Sequence, residues 1–99
     1  MKDLDMFRQI IDNIDKHIVI LFNMRMETIK ELSFYKQNNN IPINDNQREI
    51  ELIEKNKNLI NEDFYNYYEQ LYKEILKISK DYQKNIINHK EKIWYLIKK

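Results

Sequence analysis

A single long apolar seam limits most sharply what this chain can become. Leu4, Phe7, Ile11, Ile14, Ile18 and Leu21, then Thr28, Leu32 and Tyr35, recur at alternating spacings of three and four residues, with no proline or glycine between them. That rhythm belongs to a long helix with one apolar face. It predicts a first helix from about Leu4 to about Gln37, roughly 50 Å long at 1.5 Å per residue. A chain of 99 residues is too small to cover such a stripe alone. A second copy is therefore the expected partner. One beat of the seam is charged, because Arg25 stands between Leu21 and Thr28.

Beyond Gln37, residues Asn38 to Pro42 read as a loop, since Pro42 bars helix continuation. Asn44 or Asp45 offers an N-cap for a short second helix opened by Arg48, Glu49, Leu52 and Ile53 and fading near Asn58. Asn61 is the next cap, and Glu62 and Asp63 suit the positive end of a helix dipole. From Phe64, the positions Tyr67, Tyr68, Leu71, Ile75, Ile78, Tyr82 and Ile86 define a third helix reaching toward Ile97. The expected fold is all-α, with three helices ordered long, short, long in a single domain over residues 1–99. Residues 84–99, with Ile86, Ile93, Trp94 and Ile97 among lysines, read as an extension of the last helix covering the dimer. A membrane-surface or partner helix is the other reading of that tail.

Composition removes whole classes of function. Lys and Arg total 17 against 16 Asp and Glu, without the basic excess that marks a general nucleic-acid binder. There is no cysteine, so disulfides, thiolate nucleophiles and Cys-based zinc sites are excluded. His17 and His89 form no local metal-ligand pair, and the absence of glycine removes P-loops and dinucleotide-binding turns. The opening residues Met1 to Asp5 are polar and carry acids, unlike a signal peptide, and no apolar run approaches membrane-spanning length. The expectation is a cytoplasmic helical protein with no metal, no cofactor, no nucleic-acid partner and no membrane.

Several polar residues sit where a bland bundle would not put them. A charge at Arg25 on an apolar face calls for an anionic companion. Lys36 lies close to three full turns further on, on nearly the same face and about 16 Å away. Arg8 precedes Arg25 by about 25 Å along the axis, too far to share a small ligand on one helix. A second copy of the helix running antiparallel beside the first would bring it there, giving two equivalent sites by twofold symmetry. Asp45, Arg48 and Glu49 share a face at the start of the second helix, and Ser79 and Gln83 are one turn apart on the third. Taken singly, each has an ordinary reading: a snorkelling or ion-paired arginine, a solvated surface charge, a cap, a polar stripe border. Together they describe a cationic pocket with neutral donors and one carboxylate, suited to a small dianion bearing a hydroxyl group.

Arg8, Arg25 and Lys36, then Asp45-x-x-Arg48-Glu49, then Ser79-x-x-x-Gln83, resemble in order and spacing the all-helical chorismate mutases, the AroQ family, over roughly residues 4–83. The opening Leu4–Ile18, with Arg8 followed by Ile11, Ile14-Asp15 and Ile18, and the linker Ile41-Pro42-Ile43 resemble the family as well. Thr28 and Ile29 depart from the leucine and small residue often found there, and Tyr65, Tyr67 and Tyr68 make an unusually aromatic start to the third helix. The resemblance implies an intertwined homodimer that rearranges chorismate to prephenate in the shikimate route to Phe and Tyr. It implies that Arg25, together with Arg8 from the partner chain, holds the two substrate carboxylates, with Ser79 assisting one of them. Lys36 and Gln83 would donate to the ether oxygen, Glu49 and the backbone at Asp45 would meet the ring hydroxyl, and Arg48 would complete the wall. Leu32, Leu52 and Leu76 would form apolar walls. Two rivals stand beside this reading: an isochorismate–pyruvate lyase on the same scaffold, and a non-catalytic helical interaction module.

Overall fold

The computed structural model describes the backbone of residues 2–98 and the side chains of residues 3–88. Helix α1 spans Lys2–Asn38, α2 spans Asn46–Lys57, a single 3-10 turn covers Glu62–Phe64, and α3 spans Tyr65–Lys98. Among the described residues the chain is all-helical, long, short, long, as the seam and the loop residues predict. The third helix enters through the 3-10 turn rather than directly at Phe64, because the Asn61 side chain accepts from the Asp63 N–H at 2.9 Å and tightens the first turn. The side chains of Ile93, Trp94 and Ile97, expected to cover a dimer, lie outside the described residues.

The end of α1 is closed by a Schellman motif. Asn40 takes the left-handed conformation at φ 55°, the Ile41 N–H donates to the Lys36 carbonyl at 2.8 Å and the Asn40 N–H to the Gln37 carbonyl at 3.4 Å. In a chain without glycine, asparagine is the residue that best tolerates that conformation. Asp45, not Asn44, caps α2, its Oδ1 accepting from the Arg48 N–H at 3.1 Å. The reversal between α2 and α3 is fixed by side chains. Lys57 pairs with Glu69 at 3.1 Å and lies 5.2 Å from the Tyr65 ring centre. The Tyr68 hydroxyl donates to the Ile53 carbonyl at 2.9 Å while its ring packs on Tyr72. The aromatic start of α3 is thus packing, with Tyr67 left exposed.

The inward face of the last third of α1 is not the one the seam predicts. Thr28, Leu32 and Tyr35 are exposed, whereas Arg25, Met26, Ile29, Ser33, Lys36 and Gln37 turn toward the rest of the chain. Ser33, only 1% exposed, is the most deeply buried of them. A strict 3.5-residue stripe drifts around a straight helix, so the apolar line and the intramolecular contact line part company over ten turns. The same division appears on α3. Tyr68, Ile75, Tyr82 and Ile86 turn inward, whereas Tyr67, Leu71 and Ile78, with Phe64 in the 3-10 turn before them, are exposed. Among the described hydrophobic side chains Tyr68 alone is buried, and the seam from Leu4 to Leu21 is exposed throughout, with Ile18 at 57% and Leu21 at 61%. No helix among the described residues is long and apolar enough to cross a membrane.

Candidate active site

Where the last third of α1 meets α3, beneath the start of α2, the three helices enclose a pocket of about 180 Å³. Each element contributes one face of its periodicity. Arg25, Ile29, Leu32 and Lys36 come from α1, Asp45, Arg48, Glu49 and Leu52 from the start of α2, and Leu76, Ser79, Lys80 and Gln83 from α3. The structure therefore brings together every candidate residue of the sequence reading except Arg8, along with the apolar walls Leu32, Leu52 and Leu76. Arg8 is exposed, near the far end of α1 and away from the pocket.

Ser79 is the hub of the polar wall. Its hydroxyl donates to the Ile75 carbonyl one turn back at 2.9 Å, which leaves its lone pairs to accept from Arg25 Nη1. Its backbone carbonyl accepts from Gln83 Nε2 at 3.3 Å. Ser79 and Gln83 are both only 4% exposed. Arg25 is thus held half-buried by a neutral partner, not by the anion its position calls for, so its charge is not cancelled by a carboxylate. One of the two Nε2 hydrogens of Gln83 is taken by Ser79, and its Oε1 is buried without a protein partner.

Across the pocket, Lys36 Nζ donates to the Ile43 carbonyl at 3.2 Å. The Schellman turn beginning at Lys36 and Pro42 in the linker place that carbonyl over the last turn of α1, so the ammonium gives one of its N–H groups to it and keeps two for another acceptor. Asp45 is occupied as the α2 cap, and its carbonyl accepts from the Glu49 N–H at 3.0 Å. Glu49 Oε1 lies 3.0 Å from Lys80 Nζ. Lys80 is a lining residue the sequence reading passed over. The signal was there, since Leu76, Ser79, Lys80 and Gln83 follow the i, i+3, i+4, i+7 rule of one helix face. The lining residues carry four cationic groups (Arg25, Lys36, Arg48, Lys80) against two carboxylates, Asp45 and Glu49, so the pocket is net positive.

The sequence model of the family described as chorismate mutase type II matches residues 7–84. The bifunctional chorismate mutase/prephenate dehydratase of Buchnera aphidicola subsp. Schizaphis graminum (strain Sg) is 39% identical over 88 residues, which cover 87% of this chain and 23% of that protein. This chain thus spans about a quarter of the length of that curated relative. No solved structure matches.

Proposed function

Because the chain belongs to the type II chorismate mutases, the all-helical AroQ class, we propose that its pocket converts chorismate to prephenate by an intramolecular Claisen rearrangement. One observation carries the reading: Arg25, Lys36, Arg48, Glu49, Ser79 and Gln83, drawn from three helices, line one net-positive pocket. In this reaction an ether C–O bond breaks as a C–C bond forms within the same molecule. No nucleophile, metal or proton transfer is required of the protein. Two contributions remain for the residues present. Fixing both substrate carboxylates on cations selects the compact reactive conformer. Donors aimed at the ether oxygen stabilise the negative charge that grows there as the bond breaks.

The hydrogens left uncommitted support the following roles. Arg25, tethered to Ser79, keeps the rest of its guanidinium fork for a carboxylate. Lys36 and Gln83 each spend one hydrogen on a backbone carbonyl, and the hydrogens they keep would donate to the ether oxygen. Lys36 carries the charge and so gains most between ground and transition states. Glu49 accepts from the ring hydroxyl beside the backbone at Asp45, and Arg48 completes the charged wall. Residues 1–99 act as one catalytic domain in the cytoplasm.

The site is completed by a second copy. A volume near 180 Å³ falls below the roughly 300 Å³ where small-molecule pockets usually begin, which supports a site closed by another chain. Two exposed apolar stripes, Leu4 to Leu21 on α1 and Phe64, Tyr67, Leu71 and Ile78 along the 3-10 turn and α3, support the same reading. An antiparallel α1 pair would carry the partner's Arg8 to the second carboxylate. Incubating the purified chain with chorismate should yield prephenate. Unchanged chorismate, or pyruvate released only from isochorismate, would overturn the assignment. The shared site has its own test. Arg8→Ala and Lys36→Ala chains, each inactive alone, should regain about a quarter of wild-type activity after subunit exchange, because half the dimers then hold one intact site.

A further inference from the structure

Glu49 has a partner that the rearrangement does not call for. Lys80 Nζ lies 3.0 Å from Glu49 Oε1, tying α3 to α2 across the pocket, and the two side chains keep only 29% and 23% of their exposure. Both line the site. Lys80 sits directly after the Ser79 hub and on the same face as Gln83, so its backbone is fixed by the helix that carries the polar wall. Glu49 lies in the first turn of α2, where its own backbone N–H is committed to the Asp45 carbonyl.

An anionic side chain in a pocket for a dianion works against binding unless something offsets it. Arg25 is held by Ser79 and Lys36 by Ile43, and of the four pocket cations it is Lys80 that forms an ion pair with Glu49. A carboxylate with both oxygens unconstrained also rotates, whereas one with Oε1 engaged presents its other oxygen in a fixed direction. Resting on the chorismate reading above, we propose that Lys80 is a positioning and specificity-determining residue. It holds Oε1 of Glu49, turns the second oxygen toward the substrate's ring hydroxyl, and cancels the charge Glu49 brings to an anion site. It acts through Glu49 without touching the substrate.

The test compares steady-state kinetics on chorismate for the full chain, Lys80→Met, Lys80→Arg, Glu49→Gln and the double variant Lys80→Met/Glu49→Gln, with helicity followed by circular dichroism. Lys80→Met should lower kcat/KM about fivefold, as fits a partly exposed ion pair, with the loss in KM more than in kcat. Lys80→Arg, which keeps the charge, should return to within about twofold of wild type. In the Glu49→Gln background Lys80→Met should change kcat/KM by less than about twofold, since the pair no longer exists to be broken. A folded Lys80→Met chain with wild-type KM overturns the proposal. So does an equal loss with and without Glu49, which would mean that Lys80 meets the substrate itself or only supports the fold. If Lys80→Met loses helicity, Lys80→Gln replaces it in the same comparison. A wild-type chain that leaves chorismate untouched overturns the chorismate reading and this role with it. An active wild type beside an unaltered Lys80→Met overturns the role of Lys80 alone.

Discussion

Arg25 donates from Nη1 to the Ser79 hydroxyl, joining two helices through residues 54 positions apart in the chain. The bond ties the charged beat of the α1 seam to the buried polar edge of α3, and it orients the guanidinium without neutralising it. The two residues should therefore fail differently. On the proposed chorismate reading, Arg25→Ala removes a cation for a substrate carboxylate and should lower kcat/KM by about a hundredfold or more. Ser79→Ala removes a neutral acceptor, leaves the cation in place, and should cost about tenfold, mostly in KM. Steady-state kinetics of both variants check this, and a Ser79→Ala loss as large as that of Arg25→Ala would place Ser79 in direct charge of the substrate.

Gln83 presents an amide where a carboxyl would have to be protonated in order to donate. The wild-type chain should accordingly show a kcat/KM that is flat from about pH 5 to 8, with no acid-side optimum set by residue 83. Gln83→Glu should be poor at neutral pH and recover as pH falls toward the carboxyl's titration, which begins from about 4.3 and is moved upward by burial at this 4%-exposed position. A pH–rate profile for the two chains decides it. A Gln83→Glu profile lacking that acid-side gain would remove Gln83 from the ether-oxygen role.

The helices and most of the pocket are legible in the sequence because each rests on local chemistry. The seam sets α1, Pro42 and the asparagines and Asp45 set the breaks, and the i,i+4 spacing of Ser79 and Gln83 puts them on one face. Two things were not legible. An apolar stripe states that something must cover it but not whether the cover lies in the same chain, so the turn of α1 toward α3 along Arg25, Ile29, Ser33 and Lys36 could not be separated from the Thr28–Leu32–Tyr35 line. Lys80 reads as one more lysine on an amphipathic helix until the fold sets Glu49, 31 positions earlier, beside it.

Asn40 links helix termination to the site. Its left-handed conformation closes the turn that returns the chain over Lys36, and the next residues deliver the Ile43 carbonyl to the ammonium. Asn40→Gly should stabilise the chain by a few tenths of a kcal/mol to about 1 kcal/mol, since glycine enters that region without a Cβ clash. Asn40→Val should cost about 1–2 kcal/mol and, by loosening the Ile43 carbonyl, reduce kcat as well. Urea denaturation and kinetics on the same two variants check both effects. A Val substitution neutral in both would mean the turn tolerates another geometry.

Two groups at the α2–α3 reversal make stability sensitive to alkali. Burial, followed by neighbouring Tyr72 and Glu54, pushes the Tyr68 phenol above its ordinary 10.0. The hydrogen bond that Lys57 donates to Glu69, and the charge of Glu69, raise Lys57 above 10.5. Each group holds its proton more tightly in the folded chain than in the unfolded one. The stability each adds is therefore fully present below those ordinary values and is lost as pH rises through the folded ones. Urea melts followed by circular dichroism should give a wild-type stability that is level near pH 8 and falls above about pH 10. Tyr68→Phe loses the 2.9 Å bond to the Ile53 carbonyl, which should cost about 1 kcal/mol at neutral pH. With no phenol to titrate at that position, its stability should decline less steeply on the alkaline side, so the two curves converge as pH rises. Parallel curves up to about pH 11 would mean that Tyr68 contributes its hydrogen bond but no proton linkage, leaving Lys57 to account for the alkaline limb.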